Sequence, residues 1–262
     1  MQEPCQTNSE RKVAIYPRGK AHPTKTALFV LAAAIVTSAV WAALGFQAAA
    51  KSDTAAARIE ALEARLKSAE SRVHTLEDIE RIEKLQRAYG YYVDKNLWDQ
   101  VVDLFADDCS IEIAQRGVYL GKKGADRLFR MVFGGGKIGL SYGRLFNHMM
   151  LQGIVDVDPR GQTAKGRWRA FVQIAQFQKS AMWSDGIYEN DYVKENGVWK
   201  LMKLKFWPTF YTPYETGWAV RNLPNNSPSA EYPPDQPPTD RAGVFPDYFA
   251  PPFHYRNPVT GR

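Results

Sequence analysis

The stretch that decides the fold is NHMMLQGIVDVDPRGQTAKGRWRAFV, residues 147–172. Two runs rich in β-branched and aromatic side chains flank the turn sequence Asp158-Pro159-Arg160-Gly161, which predicts two strands joined by a tight connection. The pattern continues downstream, where Glu195-Asn196-Gly197 supplies another turn. Four long strands are therefore predicted, at 145–157, 163–178, 182–195 and 198–207. We expect them to form an antiparallel meander.

Helical patterns precede these strands. Apolar spacing predicts helices at 76–94 and 97–106, and the sequences CSIEI and GVYLG then alternate as two short strands. A further helix, GADRLFRMVF, stops at Gly134-Gly135-Gly136. This order predicts an α+β domain over 79–208, with helices covering one face of a curved antiparallel sheet.

The N-terminal region has the pattern of a membrane anchor. Residues 27–50 are 24 residues without a charge, which is long enough to cross a bilayer as a helix. Basic residues dominate 1–26, so the positive-inside rule predicts a cytoplasmic N-terminus and an extracytoplasmic domain, periplasmic in a bacterium. The alternative is a signal peptide cleaved at Ala48-Ala49-Ala50, which would leave a secreted protein.

Residues 51–78 carry a heptad seam. Its members step by three and four: Ile59, Leu62, Leu66, Ala69, Val73 and Leu76. Such a seam predicts a short coiled coil and a homo-oligomer, either a dimer or a trimer. The alternative is a single amphipathic helix that docks on its own domain.

The C-terminal segment, 209–262, differs in composition from the rest. Twelve of the sixteen prolines lie at or after Pro208, and aromatic residues alternate with them. A regular core cannot form from this composition. We expect an extended arm that lies across this domain or a neighbouring subunit. The alternatives are a flexible tail and a docking segment for another envelope protein.

Several function classes find no support in the residues. The net charge is +6, but Lys and Arg are interspersed with Asp and Glu, so nucleic-acid binding is not expected. The two cysteines, Cys5 and Cys109, are far apart and lack the spacing of a zinc site. Gly134-Gly135-Gly136 follows a helix and lacks the Lys-Ser/Thr of a phosphate loop. No metal and no cofactor are expected.

The order of the segments resembles a known family. Three segments are similar to the SnoaL-like branch of the nuclear transport factor 2-like superfamily. They are IERIEKLQRAYGYYVDKNLWDQVVDLFADDCSIEI (79–113), residues 147–172 quoted above, and YENDYVKENGVWKLMKLKFW (188–207). That superfamily includes ketosteroid isomerases, scytalone dehydratase and polyketide cyclases. The resemblance implies a cone-shaped α+β fold around a pocket, and acid–base chemistry without a cofactor. Fold alone does not settle function.

Three catalytic candidates come from the same resemblance. VDKNLWD places Asp94 where scytalone dehydratase has its pocket aspartate, and His148 matches the pocket histidine of the family. Tyr89 resembles the tyrosine that stabilises an oxyanion in ketosteroid isomerases. The alternative for each residue is a purely structural role. Asp94 would end a helix, His148 would be a hydrogen-bonded histidine of a strand, and Tyr89 would complete the buried apolar face of a helix.

The sequence also departs from both enzymes. The base of ketosteroid isomerases falls at Ile113, which cannot take a proton. The second histidine of the dehydratase falls near Ile174, and its asparagine near Tyr188. Asp94 and His148 remain as the shared pair.

Strand alternation predicts the pocket wall. With His148 facing in, Gln152, Ala170, Ile174 and Tyr192 also face in, whereas Arg167 and Arg169 face out. The predicted substrate-binding residues are Tyr92, Trp98, Phe146, Met150, Trp168, Val172, Tyr188 and Asn190. This wall suits a small hydrophobic or aromatic molecule. The alternative is that these side chains fill the cone as a solid core.

The sequence therefore predicts a membrane-anchored, cofactor-free lyase or isomerase that acts on a small hydrophobic molecule. Asp94 and His148 would form its acid–base pair, and Tyr89 or Tyr188 would donate an orienting hydrogen bond. The alternative, of a different class, is a non-catalytic ligand-binding or oligomeric scaffold module.

Overall fold

The computed structural model describes residues 25–262, with side chains described for 34–47 and 54–262. The predicted cytoplasmic segment, 1–26, lies almost wholly outside the described residues, as does Cys5. The chain divides into two compact units, Met1–Leu66 and Lys67–Arg262.

Helices come first in the chain and long strands follow. The helices are α1 (Lys25–Asp94), α2 (Trp98–Asp103) and α3 (Gly121–Asp126), and α3 continues as a π-helical segment, Arg127–Phe133. The strands are β1 (Phe105–Ile113), β2 (Val118–Leu120), β3 (Arg144–Val157), β4 (Thr163–Gln176), β5 (Ser180–Glu195) and β6 (Val198–Pro213).

In the first unit, the described residues form part of α1. Over the residues that the structure describes, no helix combines the length and the apolar character required to cross a membrane. Of the predicted transmembrane span, 27–50, side chains are described only for 34–47, and the rest of that prediction lies outside the described side chains.

The predicted heptad seam lies on α1. Its large side chains, Ile59, Leu62, Leu66, Val73 and Leu76, are all more than half exposed. Val73 and Leu76 belong to the second unit, yet they do not pack on it, so the alternative of an amphipathic helix docked on its own domain is not observed there.

In the second unit, the C-terminal part of α1 packs one face into the core. Ile82, Tyr89 and Val93 recur at helical spacing and are buried. The helix ends at Asp94, and Asn96 follows with a φ of 52°, a left-handed conformation that asparagine tolerates well. This ending aims the chain back so that Trp98 of α2 is also buried.

The sheet has six strands in the order β2-β1-β6-β5-β4-β3. The four long strands β3 to β6 form the predicted meander, and the α+β class is confirmed. One part of the fold prediction is wrong: β1 pairs with β6 in parallel, with Ile111 beside Leu204, so the sheet is mixed rather than wholly antiparallel. The chain between β1 and β6 supplies the long crossover that a parallel pair requires.

A bulge in β3 changes the direction of one predicted pocket residue. The pairing of β3 with β4 shifts between Leu151 and Ile154, and Gln152 has a φ of 49°. Such an extra residue reverses the alternation of side chains. Gln152 is consequently exposed and accepts a hydrogen bond from Arg169, so its predicted inward orientation is wrong.

The segment after β6 lies along the outer face of the sheet in this unit. β6 itself continues to Pro213, past the predicted domain end at 208. Beneath the arm, Lys205 forms buried ion pairs with Glu112 and Asp240 at 3.0 and 2.6 Å. Further along, the His254 ring contacts Glu189 at 2.7 Å. The arm therefore replaces solvent on the face of the sheet opposite the helices.

Candidate active site

A cavity of about 220 Å³ lies between the helices and the inner face of the sheet. Its wall is mainly aromatic and aliphatic. The lining residues are Tyr89, Val93, Ile113, Arg116, Val132, Phe133, Arg144, Phe146, His148, Val172, Ile174, Ser184, Tyr188, Phe206 and Tyr211. A concave, mostly apolar pocket with a few polar groups is the usual form of a small-molecule site.

His148 is the histidine of this wall. Its side chain comes from β3 and the residue is only 9% exposed. Nε2 lies 3.1 Å from the hydroxyl of Tyr188, and Nδ1 is buried without a partner among the described residues. Burial lowers the pKa of His148 to about 4, because the apolar surroundings disfavour the imidazolium ion. The ring is therefore neutral at pH 7.

Two tyrosines extend this contact into a chain of polar groups. The Tyr188 hydroxyl, bound to His148, lies 3.5 Å from the Tyr89 hydroxyl. Burial raises the pKa of Tyr89 and of Tyr188, so both phenols stay protonated at neutral pH. Tyr89 reaches this place from α1 and Tyr188 from β5. The chain joins a potential base to two potential hydrogen-bond donors.

Asp94 lies behind His148 rather than on the cavity wall. Its Oδ1 accepts a short hydrogen bond from the backbone amide of His148. Burial raises the pKa of Asp94, and the hydrogen bond from His148 opposes that rise. The structure thus brings the two predicted residues together, but only His148 lines the cavity. This arrangement suits Asp94 to positioning β3 and its histidine.

The predicted wall residues divide into two groups. Phe146, Val172 and Tyr188 line the cavity. The others do not line it: Tyr92, Trp98, Met150, Trp168 and Asn190. Trp98 stacks on Phe129 and donates to the carbonyl oxygen of Lys137 at 3.1 Å, so its indole has a structural role.

Trp168 and Asn190 belong to a separate buried polar cluster. Trp168 donates to the Tyr192 hydroxyl at 2.9 Å, and that hydroxyl donates to Oε1 of Gln86 at 2.7 Å. Asn190 donates to the same oxygen at 3.0 Å. We call Gln86, Trp168, Asn190 and Tyr192 the closed cluster, because these side chains bond chiefly to one another.

Three polar wall residues were not predicted. Ser184 shares the inward phase of Tyr188 on β5, so extending the alternation by two more steps would have found it. Arg116 lies in the turn after β1, and Arg144 begins β3, where alternation gives no orientation. Among the described residues, no group of three or more His, Cys, Asp or Glu side chains is arranged to hold a metal ion.

The family of this chain follows from its amino-acid sequence and does not depend on the geometry of the cavity. Residues 74–205, half of the chain, match the model of the SnoaL-like domain. The chain belongs to the SnoaL-like family, within the nuclear transport factor 2-like superfamily, as the resemblance implied. The search of curated proteins gave no match.

Solved structures with a similar fold include two from Novosphingobium species. One is a "Putative Scytalone Dehydratase" from Novosphingobium aromaticivorans, with 19% identity and a TM-score of 0.48 over 61% of this chain and 97% of that one. The other is hexachlorocyclohexane dehydrochlorinase LinA-type3 from Novosphingobium barchaimii, with 20% identity and a TM-score of 0.47 over 54% of this chain and 93% of that one.

Proposed function

We propose that this protein is a cofactor-free lyase or isomerase that acts by acid–base chemistry on a small, largely apolar molecule. The observation that carries the proposal is His148, a neutral imidazole on the wall of an apolar cavity, bonded to Tyr188. A general base must be in its unprotonated form before the reaction, and burial keeps His148 in that form at neutral pH.

In this proposal each group has a separate task. The unprotonated nitrogen of His148 takes a proton from an acidic C–H of the substrate. The negative charge then develops on a substrate oxygen or leaving group, where the protonated phenol of Tyr89 or Tyr188 can donate a hydrogen bond. Returning the proton to another carbon completes an isomerisation, and loss of the leaving group completes an elimination.

Asp94 supports this step from behind. Its carboxylate holds the backbone amide of His148, which fixes the position of the ring. Asp94 is therefore a positioning residue in this proposal, and His148 is the base.

Proton abstraction can be tested without knowing the natural substrate. Purified protein is incubated in D₂O with a panel of small cyclic ketones, and deuterium uptake next to the carbonyl is followed by mass spectrometry. We expect His148→Ala to lower the rate by about 10²-fold or more, as for other positioned bases. His74→Ala, at an exposed histidine of α1, is the matched control and should match the parent.

Two variants of Asp94 separate positioning from charge. Asp94→Ala removes the acceptor of the His148 amide, whereas Asp94→Asn keeps an oxygen there without the charge. A rate loss that is larger for alanine than for asparagine supports positioning. Full turnover in both Asp94→Asn and His148→Ala would contradict the proposed chemistry.

A non-catalytic ligand-binding module is the second candidate, and the cavity itself favours it. It predicts saturable binding of the ketones with no deuterium uptake above the buffer rate. The extracytoplasmic location stays a prediction from the sequence.

A further inference from the structure

The cavity wall contains two cations and no acid. Arg116, which is half-buried, and Arg144, which is exposed, both line it, and neither forms an ion pair with a carboxylate among the described residues. Arginine is always charged at physiological pH. The charge of Arg116, half-buried in an apolar wall and without a counter-charge from the protein, favours an anion in the cavity.

Arg116 is held in a fixed position by neutral groups. Its guanidinium donates to Oδ1 of Asn226 at 2.5 Å and to the carbonyl oxygen of Ile113 at 3.4 Å. Its central carbon lies 5.0 Å from the ring centroid of Phe133. These contacts orient the planar fork but leave its charge unneutralised. A fork of this kind matches the geometry of a carboxylate.

Two further polar atoms of the wall lack partners. The hydroxyl of Ser184, a residue that is 2% exposed, has no hydrogen-bond partner among the described residues. Nδ1 of His148 is also buried and has no hydrogen-bond partner among the described residues. Buried polar side chains normally have a partner. In this cavity the missing partners are best supplied by a polar ligand that enters it.

We propose that the substrate carries a carboxylate, or a similarly acidic oxygen, on a one- or two-ring hydrophobic body, and that Arg116 binds the anionic group. This inference rests on the proposed function for the reaction but not for the binding. The volume of about 220 Å³ lies below the usual range of ligand pockets, roughly 300–1,000 Å³, which fits a compact ring system.

The test compares two probes that differ in charge but not in size. Binding of 2-naphthoate and of 2-naphthamide to the full chain is measured by titration calorimetry at pH 7. We expect the carboxylate to bind at least about tenfold more tightly, since hydrogen bonds between charged groups are the stronger ones. Equal affinities, or a preference for the amide, would overturn the proposal.

Variants locate the effect. Arg116→Gln should remove the preference for naphthoate, whereas Arg160→Gln, at an exposed arginine in the turn between β3 and β4, should retain it. If Arg116→Gln fails to fold, the salt dependence of the parent decides: naphthoate binding must weaken between low and high salt while naphthamide binding does not. His148→Ala should keep the preference while losing deuterium exchange, which separates this inference from the proposed function.

A second, independent observation concerns the charges beside the heptad seam of α1. With Ile59, Leu66 and Val73 at the a positions and Leu62, Ala69 and Leu76 at d, the flanking positions segregate by charge. Every g position is an arginine and every e position a glutamate: Arg58, Arg65 and Arg72 at g, and Glu63, Glu70 and Glu77 at e.

This segregation specifies an orientation. In a parallel coiled coil, a g residue meets the e residue five positions further along the second chain, so Arg58 meets Glu63 of a second copy. In an antiparallel pair, arginine would meet arginine and glutamate would meet glutamate. With β-branched Ile59 and Val73 at a, two strands are favoured. We infer that α1 pairs with a second copy of this chain, in parallel and in register.

Cross-linking tests the orientation in the full chain. A Leu62→Cys variant, with Cys5 replaced by serine, should form an interchain disulfide under mild oxidation, since position 62 faces itself only in a parallel dimer. Lys67→Cys, at a b position on the outside of such a coil, is the control and should not cross-link. Sedimentation should give a dimer, and Glu63→Arg with Glu70→Arg should shift it toward monomer. A parent that sediments as a monomer at tens of micromolar, or a failure of Leu62→Cys to cross-link, would overturn the inference.

Discussion

Two regions on the inner face of the sheet use similar residues in opposite ways. The closed cluster joins Trp168, Asn190 and Tyr192 to Gln86 through hydrogen bonds of 2.7 to 3.5 Å. The cavity presents His148, Ser184 and Arg116, whose polar groups are incompletely paired or unneutralised. Within the closed cluster only Nε2 of Gln86 lacks a partner among the described residues.

The difference shows which region is built for stability and which for a ligand. A satisfied buried network rigidifies a core, whereas buried polar atoms without partners cost free energy. Unpaired polar atoms can remain in a fold where a bound ligand offsets their unfavourable free energy. The two regions share β4 and β5, so the sheet supplies one face to both, and only the packing above it differs.

The largest predicted effect is at the closed cluster. Trp168→Ala should lower the free energy of unfolding by about 3–5 kcal/mol, because it leaves a cavity and removes the donor to Tyr192. Urea unfolding at pH 7 measures this loss. Phe146→Ala, at the wall of the open cavity, is the counterpart and should cost clearly less, since part of its ring already faces unfilled space.

This pair also shows how far the sequence could predict the site. Alternation of side chains placed both Trp168 and Phe146 on the inner face, and the family resemblance supplied Asp94 and His148. Neither source says whether the space above a residue is filled. That depends on contacts distant in sequence, such as Gln86 of α1 meeting Asn190 of β5. Arg116, in a turn, and the bulge at Gln152 also lie outside any periodic pattern.

The next largest effect is a pH dependence of the free energy of unfolding, which we expect from the cavity and not from the closed cluster. The pKa of His148 is about 4 in the folded protein and 6.5 ordinarily, so the unfolded chain binds a proton more readily. Stability is therefore lost as pH falls from 6.5 towards 4, by roughly 3 kcal/mol at about 1.4 kcal/mol per pH unit.

His148→Gln should remove this part of the pH dependence. Urea unfolding at pH 7 and at pH 4.5 compares the variant with the parent, so that the carboxylates common to both cancel. Asp94, whose raised pKa has the opposite sign, is among them. Tyr192→Phe in the closed cluster is the control and should follow the parent, because a phenol does not titrate in this range. An unchanged pH dependence in His148→Gln would contradict the neutral, buried histidine.

A smaller loss is expected within the closed cluster at neutral pH. Tyr192→Phe removes the hydroxyl that accepts from Trp168 and donates to Gln86, and it leaves both partners buried. We expect a loss of about 1–3 kcal/mol in the free energy of unfolding. Tyr89→Phe, at the cavity wall, removes a hydroxyl whose contact to Tyr188 is 3.5 Å long, and it should cost less. Equal losses would remove the distinction between a closed and an open region.

The smallest predicted effect is at Ser184, and its sign is the sharpest test of the comparison. Since the Ser184 hydroxyl is buried without a partner among the described residues, Ser184→Ala removes an unsatisfied group and should leave stability unchanged or raise it by up to about 1 kcal/mol. The same substitution should weaken naphthoate binding, because the hydroxyl is then lost as a ligand partner. A variant that is clearly destabilised would show that Ser184 is a structural residue, and the cavity would lose one of the groups that distinguish it from the closed cluster.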